Sequence, residues 1–111
     1  MRGKIMSSLL ASAFVALLGV NAAIAAEDHK AEALKQAVEA VESGKKGDAA
    51  GIGEHATAAK THAEAADKEK TTAHLKEAIK SLNSAIEQSK SGKADVASKA
   101  AAEAVTHLME E

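Results

Sequence analysis

The chain carries the same unit twice, and this constrains its fold more than any other feature. Residues 29–62, shifted by 45 positions, fall on residues 74–107 without a gap, and 13 of the 34 positions are identical. His29 falls on His74, Gly47 on Gly92 and His62 on His107. The alanine matches between such sequences carry little weight, so the glycine and histidine matches count most. A unit of this length is one supersecondary element that cannot bury its apolar face alone and needs its neighbour to do so.

Each unit reads as helix, short turn, helix. The chain has no proline and is rich in Ala, Glu and Lys, all compatible with helix throughout. Helix one is expected from about Asp28 to Ser43, with Glu27 and Asp28 placing negative charge at its start. Gly44-Lys45-Lys46-Gly47 then turns the chain, and Asp48 caps a second helix running to about Ala66. Asp67 to Lys70 link the units, and Thr71 or Thr72 caps helix three, which runs to about Lys90. Ser91-Gly92-Lys93 forms the last turn, and helix four covers about Ala94 to Met109.

Apolar residues recur at steps of three and four, one stripe per helix. The expected stripes are Leu34, Val38 and Val41; Ile52, Ala56, Ala59 and Ala63; Leu75, Ile79, Leu82 and Ile86; and Ala97, Ala101, Val105 and Leu108. Short turns make sequence neighbours antiparallel. The fold expected is therefore all-α, an antiparallel up-down-up-down four-helix bundle built from two helical-hairpin repeats. Its core is thin: residues 26–111 hold 12 apolar side chains larger than alanine against 22 alanines. Such a core predicts marginal stability, and a gain from anything that binds only the folded form.

Residues 1–25 read as a secretory signal peptide, leaving 26–111 as the bundle domain. Arg2 and Lys4 supply the positive start, Ile5 through Val20 an uncharged apolar stretch, and Ala23-Ile24-Ala25 the small-x-small pattern for cleavage. Cleavage after Ala26 is the alternative. The expected location is periplasmic or secreted, with no stable membrane insertion after cleavage. Without the leader, 12 basic residues face 16 acidic ones, a charge of −4.

Composition removes several functions. There is no cysteine, hence no disulfide, iron–sulfur cluster or thiol chemistry. An acidic balance argues against nucleic acid, and beyond Phe14 no aromatic ring is available to stack on bases or sugars. No phosphate loop, nucleophile elbow or His-Glu-x-x-His helix is present, so no enzyme is expected and no catalytic residue is assigned.

What remains is histidine. The five, His29, His55, His62, His74 and His107, all lie beyond the leader, and two pairs recur through the repeat. Three have a carboxylate one turn onward: His29 with Glu32, His74 with Glu77 and His107 with Glu110. Imidazole and carboxylate at that spacing can share one divalent ion, or the carboxylate can orient the ring. The candidate metal ligands are thus the five histidines with Glu32 and Glu77. His55 and His62 share a helix face but lie about 10.5 Å apart along it, too far for one ion with metal–nitrogen bonds near 2 Å. Ligands must come from neighbouring helices, or each histidine anchors a weak open site. Nitrogen and oxygen donors without sulfur suit copper(II), nickel(II) or zinc, with copper(II) the tightest.

The segments Glu54-His55-Ala56, Thr61-His62-Ala63, Ala78-Ile79-Lys80-x-Leu82 and Glu103-Ala104-Val105-Thr106-His107-Leu108 resemble the small metal-binding protein family of ammonia-oxidising bacteria. The resemblance covers essentially the whole chain beyond the leader. It implies a periplasmic, histidine-rich four-helix bundle that binds copper(II) and other divalent metals. Gln36, Ser43, Asp48, Ser81, Lys93 and Ala100 stand where that family usually has further histidines. The leading expectation is a protein that weakly binds or buffers divalent transition metal through helix-face histidines. The alternative is a structural or partner-binding bundle with no physiological metal.

Overall fold

The computed structural model describes residues 28–110. Four helices account for nearly all of them: α1 (His29–Lys45), α2 (Ala49–Glu69), α3 (Ala73–Lys90) and α4 (Ala94–Met109). Each starts and stops for local reasons. Asp28 accepts a hydrogen bond from the Ala31 amide (3.1 Å), Asp48 from the Gly51 amide (2.9 Å) and Thr72 from the Leu75 amide (3.1 Å). These satisfy donors that the first helical turn leaves unpaired. The two intra-unit turns are copies of one another. The Asp48 amide donates to the Ser43 carbonyl and the Lys93 amide to the Gln88 carbonyl, and the left-handed residue is Gly47 in one (φ 73°) and Gly92 in the other (φ 75°). A side chain at either position would be strained.

Two boundaries differ from those expected. α1 runs through Gly44 to Lys45, because the left-handed exit falls at Gly47 alone. α2 continues past Ala66 to Glu69, since Asp67, Lys68 and Glu69 contain nothing that breaks a helix; the extended backbone of Lys70 ends it.

The copies also differ at one cap. The position equivalent to Asp48 is Lys93, which makes no side-chain cap bond at the start of α4. Lys93→Asp therefore raises stability by about 1 kcal/mol, which thermal melting reads as a rise of roughly 4–8 °C in a domain of this size.

The helices form an antiparallel four-helix bundle. α1 lies beside α2 and α4, α3 lies beside the same two, and across the diagonals α2 approaches α4 more closely than α1 approaches α3. The core is alanine almost throughout. The largest fully buried side chains are Ile52, Leu82 and Leu108, and no polar or charged residue is buried among the described residues.

The expected stripe of α1 requires correction. Ala33, Ala37 and Ala40 face the core; Leu34 and Val41 cover its flank, and Val38 is 41% exposed. The stripes of the other helices hold, with Ile79, Ile86 and Val105 half-buried at the edges rather than inside. The cause is close approach. A Cβ on Gly44 would overlap the Ser98 side chain and lie 3.3 Å from the Ser98 Cα, so α1 meets α4 at near-backbone distance. Only small side chains fit between helices this close, and the branched residues move to the seams.

No helix among the described residues is long and apolar enough to cross a membrane. The leader assigned to residues 1–25 lies outside the described residues.

Candidate metal centre

In an antiparallel hairpin, residues one turn apart on one helix face residues one turn apart on the other, in reverse order. His29, in the first turn of α1, therefore faces His62 on α2. Their Nδ1 atoms are 3.4 Å apart, with ring centroids at 5.6 Å and planes inclined by 28°. The second hairpin repeats the arrangement. His74 on α3 faces His107 on α4, centroids at 6.4 Å and planes inclined by 29°. The repeat thus becomes two equivalent imidazole pairs at the same end of the bundle, each bridging the two helices of one hairpin.

Carboxylates complete the pairs. Glu110, just beyond α4, places one oxygen 2.9 Å from His74 Nδ1 and 3.7 Å from His107 Nδ1. Ligand atoms of His74, His107 and Glu110 all lie within 4.8 Å of one another, the one such cluster among the described residues. Nitrogen and oxygen donors about 2.1 Å from a tetrahedral ion stand roughly 3.4 Å apart, so sub-ångström side-chain shifts close this set around one cation. His107 Nδ1 has less than 1 Å² of accessible surface and no hydrogen-bond partner, which leaves a buried lone nitrogen turned toward the shared carboxylate. Buried polar atoms are seldom left so.

In the first hairpin, the 3.4 Å between Nδ1 atoms already matches the edge of a tetrahedral site. Glu69 stands 4.0 Å from His29 Nε2, on the side of the ring away from His62.

His55 lies further along the first hairpin, its Nδ1 at 3.0 Å from Gln36 Oε1 and 3.3 Å from Glu39 Oε1. This grouping has one imidazole and two oxygens. Its counterpart in the second hairpin, built from Ser81 and Ala100, has no imidazole at all.

The five histidines named from sequence thus fall into two facing pairs and one single ring. Glu32, half-buried on α1, and Glu77, exposed on α3, stand outside the three-donor cluster. The carboxylate at His74 comes from Glu110 on the far helix of the hairpin. Spacing within one helix could not find Glu69, Glu39 or the Glu110–His74 contact. The signal was available in the antiparallel register: 29 with 62, 36 with 55, and 74 with 107 are equidistant from the turn that joins their two helices.

A family model described as small metal-binding protein matches residues 4–111. The chain belongs to the small metal-binding protein family. Comparison with curated proteins finds no match. Membership agrees with what the bundle places at its end. Two histidine pairs and a shared carboxylate are held there across helices.

Proposed function

We propose that this protein binds divalent transition metal, copper(II) preferentially, at the paired histidines, and that it buffers or scavenges such ions outside the cytoplasm. The observation that carries this reading is the cluster of His74, His107 and Glu110, three donors from two helices and the chain end, within 4.8 Å of one another. Two imidazoles and one carboxylate, with open positions and no sulfur, form a borderline donor set that ranks copper(II) above nickel(II) and zinc. The donor residues are half-buried or exposed, His107 Nδ1 being the one donor atom that is itself buried, which favours ready exchange of the ion over permanent burial. The His29–His62 pair offers a second site, and His55 with Glu39 a weaker third. Export follows from the leader read in residues 1–25.

Isothermal titration with copper(II) in a non-chelating buffer tests the proposal. Micromolar-class binding is expected, weakening on acidification as protons compete for the ring nitrogens. The His74→Ala/His107→Ala variant loses the strongest site, with affinity there falling by at least about tenfold. Absence of binding heat at neutral pH sinks the proposal and leaves a bundle whose histidines serve no metal.

A further inference from the structure

The two hairpins meet through faces that are reciprocal, and this points to a partner. Gly44 on α1 abuts Ser98 on α4, and Gly53 on α2 abuts Ser89 on α3, whose Oγ would lie 2.6 Å from a Cβ at Gly53. The 45-residue shift carries Gly44 onto Ser89 and Gly53 onto Ser98. The two contacts are therefore one contact repeated about a pseudo-two-fold axis, the geometry of an isologous interface. At each contact the first hairpin supplies the glycine and the second the serine.

Three core positions show the same reciprocity, the other equivalent pairs being mostly alanine on both sides. Ala37 is equivalent to Leu82, Ile52 to Ala97 and Ala63 to Leu108, all six buried. Where one hairpin is large the other is small. Two first hairpins facing each other would set glycine against glycine and leave gaps. Two second hairpins would set serine against serine, overlapping the Cβ atoms at the contact equivalent to Gly44–Ser98 and displacing the hydroxyl at the one equivalent to Gly53–Ser89.

We propose that the partner of this interface is a second copy of the chain, which exchanges hairpins to form a dimer in which each bundle pairs the first hairpin of one copy with the second hairpin of the other. Every contact inside such a bundle is one the monomer already makes. The only segment that must change is Lys70-Thr71-Thr72, where Lys70 (φ −156°, ψ 104°) and Thr72 (φ −138°, ψ 158°) are already extended. Lys70 and Thr71 are exposed. The histidine pairs lie within hairpins, so exchange leaves them intact, and the proposal does not depend on the metal reading.

The test uses the full chain. Replacing Lys70, Thr71 and Thr72 by alanine favours one continuous helix from α2 into α3, which cannot fold back on itself. Light scattering with size exclusion is expected to give a dimer with unchanged helix content. A folded variant that stays monomeric up to millimolar concentration overturns the proposal. The unaltered chain, refolded from denaturant at millimolar concentration, is expected to show a dimer that micromolar refolding does not. Monomer alone at both concentrations also overturns it, whether or not the alanine variant folds.

Pairing rules are tested by melting. Gly44→Ser with Gly53→Ser places serine on both sides of each contact and lowers Tm by roughly 5–10 °C. Adding Ser89→Gly and Ser98→Gly restores the reciprocal fit, and Tm recovers in monomer and dimer alike. A Tm that stays low in the fourfold variant refutes the glycine–serine pairing.

Discussion

Saturating copper(II) is expected to raise the melting temperature of this protein by roughly 10–20 °C per cross-helix site at about a hundred times Kd. The reasoning is linkage. His74 sits on α3, His107 on α4 and Glu110 beyond it, so unfolding would separate these groups and release an ion held between them. An ion that binds only the folded form at a hundred times its Kd contributes about 2.7 kcal/mol. Each kilocalorie moves Tm by about 4–8 °C in a domain of this size. Differential scanning calorimetry with and without copper(II) checks the value. His74→Ala/His107→Ala removes the part of the shift that belongs to the second hairpin, and His29→Ala/His62→Ala removes the part that belongs to the first. Unchanged melting at saturation would mean that copper sits on single helices and not across them.

Leu82→Ala has the largest effect expected from any single substitution. Leu82 is fully buried, in a core where only Ile52 and Leu108 are comparable in size and burial. Truncating a buried leucine costs about 2–5 kcal/mol, depending on how far the surroundings collapse. Total stability of a small domain is about 5–15 kcal/mol, and an alanine core places this one toward the low end. Urea titration followed by circular dichroism is expected to show a midpoint reduced by a third or more, with an unchanged slope. Copper(II) is expected to return part of the loss, since the histidine pairs lie away from Leu82 along the helices. A midpoint close to the unaltered protein's would show that alanine contacts, and not the few large side chains, carry the core.

Much of this architecture was legible before any coordinates. The Gly47 and Gly92 turns, the cap at Asp48 and the stripe of α2 follow from single residues with clear local chemistry; Asp28 reads from sequence only as charge at the start of α1, and Thr71 and Thr72 are equal candidates until the fold selects Thr72. The face of α1 was not legible. Leu34, Val38 and Val41 form a better apolar stripe by size than Ala33, Ala37 and Ala40. The choice between them depends on how closely α4 approaches, which is set by Gly44 against Ser98, fifty-four positions apart. The donor set divides in the same way. The histidines declared themselves through the repeat. Their carboxylate neighbours depend on which flexible side chain reaches across a hairpin, as Glu110 does to His74, and no spacing rule within one helix contains that.

The alanine interior also bears on the spacing of the facing histidine pairs. Helix axes separate by about 8–10 Å according to the side chains between them. Ala33, Ala59 and Ala63 are buried near His29 and His62, whereas Leu75 and Leu108 are buried beside His74 and His107, and the second pair is the wider, with centroids at 6.4 Å against 5.6 Å. With leucine in the places of Ala33, Ala59 and Ala63 the backbones would stand further apart, and the His29 and His62 rings, whose Nδ1 atoms now approach within 3.4 Å, would open toward the wider spacing of the second pair. Smallness inside the bundle is thus a property of its rim: the same alanines that leave the fold weakly held set the span over which two imidazoles can grip.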